Sequence, residues 1–435
     1  MPTGPGASAR STATIAMSPS WRKRRTAITT FFAIPTTRTS GAGRDGRAPC
    51  TTAKHGWERP EHFEPGRPWR RAGADQRQFG WTRPPWFALQ AEEHRAFRER
   101  VGIIDMTSFG KIELDGPGAL PLLERVTGNL IARPVGSVVY TQLLDRRGGI
   151  AGDVTTTRLG PHRFRLVTGA GYVNSDLGWL HLQRREEDGP VDLRETTEEL
   201  CVIGIWGPHA RQVLEGMTED DVSEDGFPFM QARDIRIAGF DVFAQRVTYV
   251  GELGWEFYLE PGVAVQVWDR LMAGGRTFGI RPGGYRALDS LRMEKGYRYY
   301  GTDLTLLDNP LEAGLGFCVR FDKGNFNGRD ALLAAKAAGI MRRLRTLLVG
   351  DREYLSIYGG EAVYADGAIV GRLRSCAYGF TVGRNIAYSY LPVGLGPGTR
   401  VEVDVFGRRV PAEVSTDALL KREQLVGHDA KHVAS

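Results

Sequence analysis

The feature that most constrains the fold is a run of short strand patterns joined by tight turns between residues 137 and 168. Strands are predicted at 137–144, 154–157 and 163–168, and the segments between them are rich in Gly, Asp and Pro, which favour turns. Strands joined by turns this short pair antiparallel, because a parallel pair needs a crossover of about a dozen or more residues. Helical patterns lie between this run and later strands, so we predict an α+β fold with antiparallel sheets rather than a doubly wound parallel sheet.

The rest of the chain repeats this mixture and then changes character. Further strands are predicted at 103–115, 199–206, 233–248, 255–259 and 316–321, and helices from Leu89 onward, at 117–126, 263–272, 283–295 and up to Gly339. After about residue 342, short strands separated by Gly and Pro turns predict a small C-terminal β-barrel of roughly 80 residues. We therefore expect a main domain at 57–340, a barrel domain at 341–425 and a tail at 426–435.

The first 56 residues differ from everything that follows. They are rich in Ser, Thr, Ala, Gly and Arg and show no sustained apolar period, so we assign no fold to 1–56. Three interpretations stay open: a targeting peptide, a disordered leader and a start-site error. Ordered sequence is expected to begin near Gly56. There a Gly-Trp-x-Arg-Pro phrase at 56–60, which recurs at 80–84, is suited to dock in an extended form on a domain surface.

The charge distribution argues against a nucleic-acid partner. The net charge is +6, but residues 1–56 hold nine Lys and Arg and one Asp, which leaves −2 for residues 57–435. The four cysteines are scattered without a CxxC pair, so we expect no disulfide framework, no metal site and a reducing, cytoplasmic location. His428 and His432 have a spacing that two ligands can share on a helix, but a solvated tail is the preferred interpretation. No apolar run approaches the roughly 18 residues of a membrane span, so we expect none.

Asp153 stands in an unusual setting for its residue type. It follows a glycine-rich turn at 148–152 and begins a strand of β-branched residues, where Asp is disfavoured. The glycines let the backbone approach another group closely, or they simply make a tight hairpin. On pattern alone, an Asp that bonds its own backbone at the turn is the favoured interpretation.

Glu256 lies in a strand that is otherwise rich in aromatic residues. Alternation places Trp255, Phe257 and Leu259 on one face and Glu256 and Tyr258 on the other. A buried carboxylate needs donors, and a flat heterocycle with two adjacent N–H groups would supply them as a bidentate pair. On pattern alone, a solvent-exposed edge strand is the favoured interpretation.

A third segment, 286–297, is predicted to be an amphipathic helix with Leu288 and Leu291 directed inward and Gly296 at its end. Its charged residues are most simply interpreted as a salt-bridged surface face. No G-x-G-x-x-G follows a predicted strand and no P-loop motif is present, so no nucleotide cradle is expected.

In this order and spacing, the three segments resemble the folate-dependent aminomethyltransferase family, the T-protein of glycine cleavage. The resemblance covers most of residues 89–425, including the terminal barrel. It implies that Asp153 is the catalytic aspartate, that Tyr140 lines the folate pocket, and that Glu256 grips the pterin edge with Tyr249 beside it. It also implies an enzyme that uses tetrahydrofolate to carry aminomethyl or methylene units from donors derived from glycine or methylated glycine.

The same resemblance implies a mechanism and partners. Asp153 would orient the reacting nitrogen and accept a proton as the new C–N bond forms, while Glu256 fixes the ring. The donor would be a small amine or a group on a lipoyl carrier protein, and a separate flavoprotein is an alternative partner.

One departure from the T-protein pattern points to a narrower likeness. Residues 287–289 are Ala-Leu-Asp where T-proteins have Ala-Arg-Asp, so an arginine associated with the folate pocket is absent. This helix and the two Gly-Trp-x-Arg-Pro phrases look more like the folate domain of dimethylglycine and sarcosine dehydrogenases. Three alternatives remain: a folate-dependent O- or S-demethylase, a non-catalytic folate-binding subunit of a flavin-dependent system, and the folate-binding protein of iron–sulfur cluster upkeep. Asn325 argues against the last, since that protein carries a cysteine at this position.

Overall fold

The computed structural model describes residues 47–66, 70–71 and 82–420. Most of the predicted leader, residues 80–81 of the second Gly-Trp phrase, and the tail with its two histidines lie outside the described residues.

The described chain alternates strands and helices before it ends in strands alone. The α-helices are α1 (Phe87–Glu99), α2 (Ala119–Val126), α3 (Val173–Gln183), α4 (Ala210–Glu215), α5 (Pro261–Gly274), α6 (Tyr285–Glu294) and α7 (Arg329–Ala338). The strands are β1 (Arg47–Lys54), β2 (Trp57–Pro65), β3 (Arg70–Arg71), β4 (Gly102–Asp105), β5 (Gly110–Asp115), β6 (Val138–Leu144), β7 (Ile150–Arg158), β8 (Arg163–Thr168), β9 (Asp192–Glu195), β10 (Cys201–Trp206), β11 (Ala232–Ile237), β12 (Phe240–Gln245), β13 (Gly254–Leu259), β14 (Arg281–Pro282), β15 (Arg342–Val349), β16 (Ala362–Ala365), β17 (Ala368–Gly379), β18 (Arg384–Pro392), β19 (Arg400–Val405) and β20 (Arg408–Ser415).

Two sheets of predominantly antiparallel strands form the main body, which confirms the predicted α+β class. The first has the order β6-β7-β8-β5-β9 and is covered by α2 and α3, whose apolar residues form its core. The second has the order β11-β12-β13-β10-β4-β14 and packs against α4 and α5. The hairpin run at 137–168 is therefore confirmed as three consecutive neighbouring strands, β6, β7 and β8.

The last six strands close into a barrel in the order β15-β18-β17-β16-β19-β20, as predicted. Closure follows because β15 pairs with β18 on one side and with β20 on the other. Inward residues such as Leu347, Val363 and Val403 are fully buried and fill its interior.

The start of ordered structure is a correction to the sequence analysis. Strand β1 lies inside the stretch 1–56, for which no fold was predicted, and pairs with β2 along its whole length. The residues of β1 show no strand pattern of their own, and pairing with β2 fixes their extended conformation. The hairpin docks as expected for the first Gly-Trp phrase: the Glu93 carboxylate of α1 accepts the Phe63 N–H at 2.6 Å and the Gly284 N–H at 2.9 Å.

Several further expectations are wrong. The segments 103–115 and 233–248, each predicted as strand, are two strands each: β4 and β5 lie in different sheets, and β11 and β12 form a hairpin. Residues 316–321 do not form a strand: the N–H groups of Cys318 and Val319 bond back to the carbonyls of Leu315 and Gly316, and Arg320 bonds to the loop carbonyl of Gly128 instead of a strand ladder. The charged residues of α6 do not form a surface face. The helix contacts α1, β2 and β17, so it is enclosed on more than one side.

That enclosure buries charge. Arg292 is 3% exposed and bonds Asp303 at 3.1 Å, and Glu294 is 0% exposed and bonds Arg98 at 3.2 Å. Only Asp289 of this group keeps a largely exposed side chain. Within the described ranges, no helix has the length and apolar character needed to cross a membrane.

Candidate functional site

A cavity of about 890 Å³ lies between the two sheets of the main body. All four residues singled out from the sequence line it: Tyr140 on β6, Asp153 on β7, Tyr249 in the turn before β13, and Glu256 on β13. The two carboxylates thus come from different sheets and share one hollow. Their predicted roles in binding and catalysis stay predictions.

Asp153 is held by the strand beside it. It lies opposite Gln142 of β6, whose Nε2 donates to Asp153 Oδ1 at 3.0 Å. Burial raises the pKa of Asp153 to about 6, against the hydrogen bonds of Gln142 and Tyr140, which favour the carboxylate. Its position in β7, bonded to a neighbouring side chain, excludes the interpretation as a mere turn residue.

The turn before Asp153 shows what the glycines do. Gly148 has φ +80, and a Cβ on Gly149 would lie 2.4 Å from the Leu306 carbonyl oxygen. The Asp145 side chain accepts the Gly149 N–H at 2.8 Å and closes the turn. These glycines therefore serve the tight hairpin and its packing.

Sequence reasoning missed two residues next to Asp153. Gln142 is fully buried, and only the register of β6 against β7 shows that it faces Asp153. Asp176 of α3 is also buried and accepts a 2.6 Å hydrogen bond from Thr168. Burial raises the pKa of Asp176 to about 6, and the charge of Asp153 adds to this effect. An Asp inside a helix that otherwise packs on the sheet was the available signal.

Glu256 occupies an interior strand, since β13 lies between β12 and β10, so the interpretation as an exposed edge strand is wrong. The predicted alternation is confirmed: Trp255 and Phe257 are fully buried in the core, and Tyr258 donates to Glu256 Oε2 at 3.0 Å on the opposite face. Burial raises the pKa of Glu256 to about 7, although the Tyr258 hydrogen bond and the Lys111 charge favour ionisation.

Aromatic rings form much of the remaining wall. Tyr249 stacks on Tyr297 with centroids 5.9 Å apart and an interplanar angle of 21°, and its hydroxyl donates to the Arg298 carbonyl at 2.6 Å. Tyr300 lies edge-on to Tyr172 and donates to the Ala151 carbonyl at 2.7 Å. These bonds to backbone carbonyls fix the rings in place.

The helix position where the T-protein pattern has an arginine lies away from this wall. Leu288 is 4% exposed and packs in an apolar cluster with Phe97 and Trp206. It does not line the cavity.

The cavity holds two carboxyl groups, Glu256 and Asp153, within a wall that is partly aromatic. Glu256 can accept two N–H donors of a flat ring, and parallel tyrosine rings suit stacking on such a ring. Asp153, with a pKa near 6, can take up a proton at neutral pH.

Comparison with known proteins gives family matches for both the main body and the barrel. Residues 46–323 match the protein family described as the GCVT N-terminal domain, and residues 342–421 match the glycine cleavage T-protein C-terminal barrel domain. Mitochondrial dimethylglycine dehydrogenase of Rattus norvegicus is 34% identical over 397 residues, 90% of this chain but 45% of that protein. The chain therefore spans about half the length of the dehydrogenases that it matches.

Shorter relatives match over most of their length. The aminomethyltransferase of Halothermothrix orenii is 33% identical over 337 residues, which are 77% of this chain and 92% of that protein. The crystal structure of the glycine cleavage aminomethyltransferase T from Bartonella henselae superposes with a TM-score of 0.73 at 25% identity and covers 87% of this chain and 96% of its own.

Proposed function

This chain belongs to the glycine cleavage T-protein family, and we propose that it transfers a one-carbon unit, at the aminomethyl or methylene level, to tetrahydrofolate bound between its two sheets. The observation that carries the proposal is the pairing of Asp153 and Glu256 across one cavity, each with a pKa raised by burial. Raised carboxylate pKa values in a shared hollow are typical of functional sites.

The residues of the cavity suit a reduced folate. Its pteridine ring is flat and carries adjacent N–H donors at one edge, which a carboxylate such as Glu256 can accept in pairs. The stacked rings of Tyr249 and Tyr297 offer an aromatic wall at the cavity. The volume of about 890 Å³ falls within the roughly 300–1,000 Å³ of small-molecule sites.

Tetrahydrofolate supplies the nitrogen nucleophiles to which the carbon becomes attached. Asp153 orients this end of the site and accepts the proton that the reacting nitrogen loses. With a pKa of about 6, roughly nine in ten of its carboxyl groups are ionised at pH 7, so it is ready to act as a base. Gln142 donates to one carboxylate oxygen and Tyr140 also bonds this carboxylate, so the two side chains orient Asp153 towards the reacting group.

We further propose that the carbon originates from a methylated glycine. A dimethylglycine dehydrogenase and a sarcosine dehydrogenase match 90% and 78% of this chain, respectively. The corresponding partner is a separate flavoprotein, and the second candidate function is a folate-binding subunit that serves such a flavoprotein without its own catalysis. A lipoyl carrier protein is the partner if the donor comes from glycine cleavage. We also propose that the protein is cytoplasmic.

The test separates binding from catalysis. Wild type, Asp153→Asn and Glu256→Ala are titrated with 5-formyltetrahydrofolate and assayed for one-carbon transfer from glycine-cleavage, sarcosine and dimethylglycine donors. We expect Asp153→Asn to bind normally and to lose turnover by about 100-fold or more, as removal of a general base does. Glu256→Ala should chiefly weaken binding.

Asp241→Asn and Glu260→Gln, both exposed and not part of the cavity lining, are the matched controls. Turnover in Asp153→Asn equal to that of wild type would exclude Asp153 as the base. Tight folate binding without turnover by wild type on any donor, alone or with a flavoprotein, would favour the non-catalytic subunit.

A further inference from the structure

A second group of chemically reactive side chains lies in the β1–β2 hairpin, outside the cavity. Cys50, His62 and Glu64 each offer one ligand atom, and these atoms all lie within 4.8 Å of one another. None of the three lines the cavity between the sheets.

Strand pairing explains why these residues meet. Cys50 of β1 and His62 of β2 are directly opposite in the antiparallel ladder, where side chains on one face are neighbours. Glu64 follows His62 by two positions, so it points to the same face of β2. A soft sulfur, an imidazole and a carboxylate are thereby placed on one side of a rigid hairpin.

The group is buried. Cys50 is 0% exposed, His62 1% and Glu64 8%. His62 Nε2 lies 3.1 Å from Glu64 Oε1, while Nδ1 of the same ring is buried without a hydrogen-bond partner in the part of the chain that the structure describes. The imidazole is therefore not fully satisfied by hydrogen bonds within the protein, and its Nε2 and the Glu64 oxygen are close enough to serve as two ligands of one ion.

We propose that Cys50, His62 and Glu64 bind a zinc ion, with a water molecule as fourth ligand. The donor set fits because Zn²⁺ takes thiolate, imidazole and carboxylate together in tetrahedral sites. A thiolate and a carboxylate also cancel the two charges of the ion, so the buried site is neutral overall.

One cation nearby does not oppose this assignment. Arg286 is close enough to influence His62 electrostatically, but its own charge is engaged. Its Nε lies 3.3 Å from Glu61 Oε2, and its guanidinium lies 3.8 Å from the centre of the Trp86 ring. The ion would therefore not meet an unpaired positive charge.

The site has a structural consequence for the cavity. The tip of the same hairpin reaches two residues that line the cavity: the Lys54 ammonium lies 5.3 Å from the Tyr299 ring centre, and the His55 and Tyr172 rings are 6.3 Å apart. A metal ion that cross-links β1 and β2 would hold this tip against the cavity wall. Metal binding itself does not depend on the proposed folate chemistry.

The experiment measures metal binding on the full chain. After treatment with a chelator, the protein is loaded with Zn²⁺ or Co²⁺ and desalted, and metal content, absorbance and melting temperature are recorded. We expect about one equivalent of Zn²⁺, a higher melting temperature with Zn²⁺ than with chelator, and a thiolate-to-cobalt charge-transfer band in the near ultraviolet.

His62→Phe keeps an aromatic ring beside Trp86 but removes both donor atoms, so it should lose the equivalent of metal, the cobalt band and the zinc-dependent rise in melting temperature. Because the change also removes a partner of Glu64, its melting temperature in chelator should lie somewhat below that of chelator-treated wild type, and an unchanged circular-dichroism spectrum shows that the variant is folded. Cys376→Ser, a cysteine of the barrel, should keep all three signals. The double variant His428→Ala/His432→Ala should keep them too, since neither tail histidine is part of the group.

Absence of the cobalt band and of bound zinc in wild type would overturn the proposal. So would retention of the band in His62→Phe, because the thiolate would then bind metal without this imidazole.

Discussion

Folate binding should depend on pH in a way that identifies Glu256. In the ligand-free protein burial raises the pKa of this carboxyl to about 7. Only the ionised form can accept two N–H bonds from a pterin edge. Binding therefore favours the carboxylate, lowers its pKa and releases a proton, so affinity must rise with pH until the group is ionised in the free protein.

The size of the effect follows from that pKa. At pH 8 roughly nine in ten molecules have an ionised Glu256, and at pH 6 roughly one in ten, so the affinity for 5-formyltetrahydrofolate should be about tenfold weaker at pH 6. A pKa of about 6 for Asp153 makes that group a smaller contributor across this window. Tyr258→Phe removes the hydrogen bond that favours ionisation and should move the midpoint to higher pH.

Glu256→Gln supplies the decisive comparison. It leaves one carbonyl oxygen to accept a neutral bond and sets an NH2 donor against the second N–H of the ring, a loss of at least about 2–3 kcal/mol or roughly 30- to 150-fold in affinity at pH 8. The variant should also lose the pH dependence, because no titrating group is left at the position. Calorimetric titration in buffers of different ionisation enthalpy counts the released proton, and Glu260→Gln is the exposed control. A flat wild-type profile between pH 6 and 8, or an unchanged slope in Glu256→Gln, would refute this reasoning.

Two further predictions concern a buried ion cluster and the aromatic wall of the cavity. Arg98→Met should lower the free energy of unfolding, measured in denaturant titrations, by about 3–5 kcal/mol, because it leaves the buried carboxylates of Glu252 and Glu294 without their shared cation. Arg95→Met, at an exposed position of the same helix, should change this free energy little. Tyr249→Phe loses one hydrogen bond and should cost folate binding at most about 1 kcal/mol, whereas Tyr249→Ala removes the stacked ring and should weaken binding clearly more; equal effects would mean that the hydroxyl, not the ring, carries the contribution.

Local pattern was sufficient where neighbours in sequence are also neighbours in space. The strands β6, β7 and β8 follow one another through short turns, so alternation and turn residues predicted both the strands and their pairing. The two faces of β13 were predicted for the same reason, since a period of two is a property of the strand itself.

Pattern failed where a distant element decides. The α6 helix has an ordinary amphipathic sequence, and only contacts with β2 and the barrel strand β17 bury Arg292 and Glu294. The segment 316–321 has apolar residues at strand-like spacing, but its neighbours offer loop carbonyls in place of a strand edge. For strand β1 the reverse is true: its own residues do not predict a strand, but pairing with β2 makes it one.

The same distinction separates what the sequence could say about chemistry. Whether an acid in a strand is a solvated residue or part of a site depends on the elements that cover it, and for Glu256 these include the opposite sheet that carries Asp153. Residue patterns alone therefore favoured a turn residue for Asp153 and an exposed edge strand for Glu256. Only the resemblance, through the order of its motifs, indicated that the two acids share one site. Cys50, His62 and Glu64 had no such motif, because ligands joined by strand register show no fixed spacing in sequence. A site of that kind becomes visible only when the ladder is known, which is why its metal chemistry has to be argued from the structure.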